Sequence, residues 1–372
     1  LKKKVLIISH DANTGGAQNS ILNFSKILSS TGFEMHIILK QDGLLKTEFE
    51  KLGTCYLWNK IEVSNSNILV RTINKVVNLN SFFNSKISKK IIHLNPELCI
   101  CNTITNHKIV KDFYKTKIKI ITWVHELSYM FDIIENISIE NPKALINNTD
   151  FFLCASISVQ KYLIKTHSVQ FEKTYVINEI INDKIEGIQR KKLKTFTVGG
   201  CGTLGWRKGS DLFLKVADEL VNKLQVKDIY FEWLGAHNSI GLFQFQEEIK
   251  KLRLQKFVKS VPFDKNSNDF MKRISLFLMT SREDPFPLVN LEAGIYELPL
   301  LCFSGTGGSE EIAIKENIFK YSDTLSMAKR VKFYKDNLSS LKVDGKLSFQ
   351  KSSEYTKISK TEEVEELIQK LL

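Results

Sequence analysis

Two carboxylates eight positions apart, Asp284 and Glu292, stand within residues 281–294, SREDPFPLVNLEAG. The first lies in a polar loop and the second about one turn into an apolar segment that reads as helix, so both could face one ligand. A buried-strand run, residues 274–280 (ISLFLMT), leads into the loop. Open α/β sheets hold ligands at such places, because a helix start offers unpaired N–H groups and a dipole favourable to phosphate. A second cluster is GTLGWRKG, residues 202–209, after the strand-like TFTVGGCG that begins at Thr195. Its adjacent cations, Arg207 and Lys208, stand at a helix start, where positive charge opposes the dipole. A diphosphate would draw on the cations and the backbone donors together. A third loop, SGTGGS at residues 304–309 with Glu310 and Glu311, follows the strand-like residues 300–303.

The first half of the chain repeats the pattern more quietly. Residues 5–9 form a β-branched run expected of a parallel strand covered on both faces. Gly15 and Gly16 (GGAQ) then open a helical pattern carrying Ile21, Phe24 and Leu28, Gly32 ends it, and residues 35–39 resume as strand. This is a βαβ unit without the GxGxxG fingerprint of a dinucleotide site. Further strands are expected from residue 98, at 118–124 and at 151–155, and the second ends in WVHE, which sets His125 and Glu126 at the start of a loop. His10, His36, His93, His107, His167 and His237 read as structural hydrogen-bonding side chains; His125 is the better placed.

Residues 176–187 (VINEIINDKIEG) are polar and Asn-rich, and a Lys/Arg cluster follows at 190–194. A boundary here gives domains of residues 1–180 and 181–352. The last stretch, 353–372, is an amphipathic helix with Val364, Leu367, Ile368 and Leu371 on one face. Strands and helices alternate in both halves, which predicts two doubly wound α/β domains.

Composition sets the class. The 372 residues are 43% hydrophobic and 25% charged, which is globular and long enough for two domains. A net charge of +12 favours an anionic partner. Nucleic acid is the weaker candidate, since no zinc-finger spacing, RNP-like aromatic signature or Gly/Arg-rich segment is present. Residues 67–92 and 108–119 are basic and partly amphipathic; they suit either anionic headgroups or a solvated helix face. No run reaches the roughly 20 apolar residues of a membrane span. Residues 2–9 have the basic flank of a signal peptide, but the apolar run stops at His10 and Asp11 and reads as a strand. Cys99, Cys101, Cys154, Cys201 and Cys302 sit in or beside apolar runs, where free thiols act as small hydrophobes, as expected of a reduced cytoplasmic protein.

Taken in order, GGAQ, WVHE, GTLGWRKGSDLF, EDPFPLVNLEAG and GTGGSEE resemble the retaining GT-B glycosyltransferases of family 4, and the resemblance runs through nearly the whole chain. It implies two Rossmann-like domains facing a central cleft, with the C-terminal helix crossing back to the first. A nucleotide-diphosphate sugar would bind mainly to the second domain and a sugar or lipid-linked glycan acceptor to the first. No metal or other cofactor is implied, and no DxD motif is present. Matched residue by residue, Lys208 takes the place of the family's diphosphate lysine and Glu292 that of the ribose-binding second glutamate of its E-x7-E motif. Asp284 stands at the first glutamate of that motif, against the donor sugar. His125 matches the first-domain histidine near that sugar, and Gly16 the glycine loop near the phosphates. Gly307, Gly308 and Glu311 match the later loop near the nucleotide and sugar.

Two positions depart from the pattern. Asp284 is a methylene shorter than glutamate and has Glu283 beside it, so either carboxylate could take the role. Thr203 stands where the family usually has a diphosphate arginine, with Arg207 as the nearby cation. The resemblance implies retaining transfer in bacterial surface polysaccharide or glycolipid assembly, with the protein cytoplasmic or peripheral at the inner face of the membrane. An inactive sugar-binding or scaffold protein of the same fold and a nucleotide-sugar epimerase are the alternatives.

Overall fold

The computed structural model describes residues 2–58, 70–138, 140–181, 195–236, 240–262 and 267–372, with backbone only for 70–80 and 267. The basic cluster at 190–194, residues 182–187 of the Asn-rich stretch before it, His237 and the side chains of Arg71 and Lys75 lie outside the described residues. The chain forms two compact units, Leu1–Ile180 with Lys360–Leu372, and Ile181–Ser359.

The first unit is built on a parallel sheet. Its strands are β1 (Lys4–Ser9), β2 (Glu34–Leu39), β3 (Thr54–Leu57), β4 (Leu98–Asn102), β5 (Lys119–Val124), β6 (Phe151–Cys154) and β7 (Thr174–Val176), in the order β3-β2-β1-β4-β5-β6-β7. The chain starts at the middle, winds outward to β3 and returns to β4, so the order reverses between β1 and β4. Val5 lies opposite both Met35 of β2 and Leu98 of β4, which fixes the central register. Successive side chains of β1 enter opposite cores, as the pleat requires. Val5 and Ile7 meet Phe24 and Leu28 of the helix Gly16–Ser30, together with Val364, Ile368 and Leu371 of the last helix, Lys357–Leu371. Leu6 and Ile8 meet Cys99, Phe113, Leu145 and Val159 on the other side. Each such fully buried aliphatic side chain contributes about 1.5–3 kcal/mol.

The second unit repeats the plan with β8 (Phe196–Cys201), β9 (Ile229–Ala236), β10 (Val258–Pro262), β11 (Leu276–Met279), β12 (Leu300–Phe303) and β13 (Ile318–Phe319). All are parallel, in the order β10-β9-β8-β11-β12-β13, and the order reverses between β8 and β11. The helix expected after the carboxylate loop is Leu288–Ile295. The C-terminal stretch divides differently from the sequence reading: Ser353 ends the helix Leu338–Ser353, and the last helix starts at Lys357.

Residues 228–234 and 257–261 also read as strand in the sequence and correspond to β9 and β10, whereas β3, β7 and β13 carry no such signal and are sheet edges of four, three and two residues. An edge strand covers one neighbour only and needs no long apolar run. All six cysteines are free thiols. No helix among the described residues is long and apolar enough to cross a membrane.

Candidate active site

Three loops meet at the carboxyl ends of the central strands of the second unit. The turn after β8 is seated on the end of β11 through Gly209, whose φ of +65° is left-handed and whose Cβ would stand 1.9 Å from the Thr280 carbonyl oxygen. Thr280 Oγ1 donates to the Gly209 carbonyl at 2.9 Å. Only glycine fits both the backbone angle and the approach. Beside it, the Arg207 carbonyl accepts from the Arg282 backbone N–H at 2.8 Å. The Arg282 guanidinium grips Asp211 through two bonds of 2.7 and 2.6 Å and lies 5.1 Å from the Trp206 ring centroid. Such a fork between guanidinium and carboxylate fixes orientation as well as contact.

The loop after β12 is joined to the carboxylate loop by backbone. Asp284 N–H donates to Thr306 O at 2.7 Å, and Gly308 N–H donates to Pro285 O at 2.8 Å. Gly307, at φ +130°, packs so closely that a Cβ would stand 1.8 Å from Asp284 O. The buried Asn290 amide donates to Ser309 Oγ at 2.9 Å, which ties the Glu292 helix to the same loop. The loops after β8, β11 and β12 thus form one surface at the reversal of strand order, the position where doubly wound sheets hold ligands.

The ionisable groups of this surface face one another. The Lys208 ammonium is paired with the Asp284 carboxylate, both largely buried. Ser281 Oγ donates to the same carboxylate oxygen at 3.3 Å. Glu292 is pushed upward from the usual carboxylate range by burial. Burial pushes the Cys201 thiol up to about 12, with the charges of Glu292 and Asp284 adding to the shift and Lys208 opposing it, so these groups share one neighbourhood. Arg207 Nη1 donates to the Glu283 carbonyl at 3.0 Å. Glu283 is buried, and Glu311 is half-buried in the short helix Ser309–Ile312.

The cations at 207 and 208 suggested an anionic ligand because they oppose the helix dipole. Both have partners within the fold, and the first turn of the helix Ser210–Asp218 carries Asp211, itself paired with Arg282. Charge at a helix start is therefore not the reason to place a ligand here; the meeting of three loops is.

In the first unit, Gly16 is exposed and opens the helix Gly16–Ser30, whose N-cap, Gly15, offers no side-chain cap. His125 follows β5. Its Nδ1 lies 2.8 Å from Glu179 Oε1, with the two side chains 7% and 5% exposed, and its ring centroid is 4.8 Å from that of Trp123. Glu126 turns inward and accepts from the His125 backbone N–H at 2.9 Å; burial pushes its carboxyl up to about 7. After β1, Gln18 Nε2 contacts His10 Nε2 at 2.8 Å and Asp11 Oδ1 at 2.7 Å.

The structure gathers Arg207, Lys208, Glu283, Asp284, Gly307 and Gly308 through direct bonds or backbone contact, and Glu292 through its shared field. Gly16 and His125 belong to the other unit. Sequence reasoning missed Arg282, Asp211, Glu179 and the set around His10. Gln18 was within reach, since it closes the GGAQ motif; Glu179 carried no local signal.

Solved structures share the whole architecture. The chain covers 99% of its own length and 99% of Anabaena HepE, solved with UDP and glucose, at a TM-score of 0.78 and 16% identity. It likewise covers 100% of its length and 99% of sucrose-phosphate synthase from Thermosynechococcus elongatus, at 0.76 and 12%. For the lipopolysaccharide outer core galactosyltransferase WaaB the coverage is 100% of both chains, at 0.72 and 14%. With its two parallel sheets, the chain has the GT-B glycosyltransferase fold. Residues 181–342 match the family model described as Glycosyl transferases group 1. No curated protein matches the chain at the level of sequence.

Proposed function

We propose that the chain is a retaining glycosyltransferase that moves a sugar from a nucleotide-diphosphate sugar to a hydroxyl acceptor. The observation that carries this reading is the three-loop surface of the second unit, where Lys208, Asp284 and Glu292 stand at the reversal of strand order. Lys208 and the backbone donors of the glycine loops take the diphosphate, Glu292 takes the ribose hydroxyls, and Asp284, or Glu283 beside it, orients the donor sugar. Gly307, Gly308 and Glu311 shape the nucleotide side, and Arg207 adds positive charge. The solved relatives support a nucleotide-sugar donor: HepE was solved with UDP-glucose, and S. aureus TarM with UDP and alpha-GlcNAc-glycerol.

In the proposed step the bond from the sugar's anomeric carbon to the diphosphate oxygen breaks, and its electron pair leaves with the nucleoside diphosphate. The acceptor oxygen bonds to that carbon on the same face and passes its proton to the departing phosphate oxygen. Preorganised cations and N–H groups stabilise the charge that develops, and no metal is assigned to the step.

A lipid-linked glycan acceptor at the cytoplasmic face of a membrane, in surface polysaccharide or glycolipid assembly, fits the net charge of +12 and the helix Val70–Leu94, where Phe82 is 55% exposed beside Lys86. The competing reading, a sugar-binding protein without activity, draws on Thr203 and on the engagement of Arg207 with Glu283 O. Thermal shift against UDP-, GDP- and ADP-sugars, followed by donor hydrolysis, separates the two, since a bound donor raises the melting temperature by mass action. Stabilisation without hydrolysis or transfer supports the inactive reading, and stabilisation by none removes the nucleotide-sugar assignment.

A further inference from the structure

The turn after β8 also carries Trp206, which is 56% exposed. Its backbone carbonyl accepts from Arg282 Nη1 at 2.7 Å and from the Gly209 N–H at 3.1 Å, and the Arg282 guanidinium lies over its ring, 5.1 Å from the centroid. Asp211 clamps that guanidinium in turn. The indole is therefore displayed to solvent yet held in place. The helix Ile240–Lys251 starts against the same turn: a Cβ on Gly241 would stand 2.6 Å from the Leu204 carbonyl oxygen. Gly241, Gln244, Phe245 and Glu248 recur three and four residues apart, so they share one face of that helix.

Between this face, the indole and the start of the helix Ser210–Asp218 lies an open cavity of about 250 Å³. Trp206, Leu214 and Phe245 supply apolar walls, and Asp211, Gln244 and Glu248 supply hydrogen-bond acceptors. Two carboxylates and no cation line it, which disfavours a phosphate or any other anion. A cation would meet the Arg282 guanidinium, which already lies over the indole and is paired with Asp211. A neutral ligand is left, one that donates hydrogen bonds along its edge and lays an apolar face on an aromatic ring. A sugar ring does both, through its hydroxyls and the C–H bonds of one face. The volume lies just under the roughly 300–1,000 Å³ of pockets for drug-sized ligands, which is room for one such ring.

We propose that this cavity is a second saccharide site, where one neutral sugar ring stacks on Trp206 and donates hydroxyl hydrogen bonds to Glu248 and Asp211. It is built entirely within the second unit, and the transfer step gives Trp206 and Glu248 no work. Sugar held here is bound and not transformed. The assignment goes beyond the transfer reading and does not depend on it, since it draws on the walls of this cavity alone.

The test uses the full chain and its own fluorescence. Of the four tryptophans, Trp123 and Trp233 are fully buried and Trp58 is 7% exposed, so quenching by acrylamide reports chiefly on Trp206. Maltose, cellobiose and diacetylchitobiose are the saccharide probes at millimolar concentration, with tetramethylammonium as the cation probe and inorganic phosphate as the anion probe. At least one saccharide is expected to shield Trp206 from acrylamide, and the two ions are expected not to. By calorimetry, Trp206→Ala and Glu248→Ala are expected to weaken that saccharide about tenfold, while Trp206→Phe, which keeps a ring, recovers most of the loss. Asp284→Asn is expected to leave this binding unchanged, which separates it from sugar held at the transfer site. Shielding by either ion in place of the saccharides, saccharide binding that survives Trp206→Ala, or the binding of no saccharide overturns the proposal and leaves the transfer reading standing. A chain that binds saccharide through Trp206 and Glu248 but binds no nucleotide-sugar keeps the proposal and removes the transfer reading.

Discussion

Replacing Asp284 with Asn is expected to move nucleotide affinity and sugar turnover in opposite directions. Lys208 and Asp284 are paired, with side chains 19% and 9% exposed, so their charges nearly cancel at the loop surface. Asn keeps the shape of the side chain and removes its charge, which leaves the ammonium net positive toward a diphosphate. Two unit charges about 8 Å apart at an effective dielectric of about 20 interact by about 2 kcal/mol. Solvent at the partly exposed ammonium, and salt, reduce this to about 1 kcal/mol. The bare nucleoside diphosphate should therefore bind about fivefold tighter to Asp284→Asn than to the wild type. Turnover of the nucleotide-sugar should fall by about a hundredfold, the scale seen when one preorganised polar contact to a reacting group is removed. Calorimetry with the nucleoside diphosphate at two salt concentrations, alongside single-turnover hydrolysis of its sugar, reads both effects, and the gain in affinity should shrink as salt rises. Equal or weaker nucleotide binding would show that the pair does not face the diphosphate, and near-normal turnover would remove Asp284 from the sugar.

Two other changes probe the scaffold. Gly307→Ala sets a Cβ against Asp284 O, 1.8 Å away in the present geometry, at a φ of +130°; it should cost about 3 kcal/mol or more and lower the melting temperature, and an unchanged temperature would mean that the loop yields freely. Glu126 is raised by burial from 4.5 to about 7, so between these values the folded chain keeps a proton that the unfolded chain has lost. Stability from this group thus falls as pH rises through that window, by about 3 kcal/mol in all, and is constant above it. Glu126→Gln should therefore gain on the wild type between pH 5 and about pH 8 in urea titrations; a difference that does not vary with pH contradicts the assignment.

The central strands were legible because a parallel strand covered on both faces must be a nearly unbroken apolar run, as in residues 5–9 and 274–280. The loops were legible because glycine and proline punctuate them, and the helix Leu288–Ile295 follows Pro287 as read. What escaped was pairing at a distance. Lys208 meets Asp284 across 76 positions, Arg282 meets Asp211 across 71, and His125 meets Glu179 across 54. No local pattern encodes such partners, since the sheet order alone decides which loops become neighbours. The same blindness explains the misjudged cations at 207 and 208, which looked unsatisfied until their partners were known.

The last helix closes the first unit with residues made after the whole second unit. Val364, Ile368 and Leu371 complete the core that Phe24 and Leu28 begin, while Ile181–Ser359 intervene in the chain. During synthesis at about 5–20 residues per second, the apolar face around Phe24 waits roughly 10–40 s for its cover. The second unit is continuous in sequence and needs no such delay. Birth order therefore runs against chain order here: the unit begun first is the last to be finished, and in the interval its open face is a natural landing place for a chaperone.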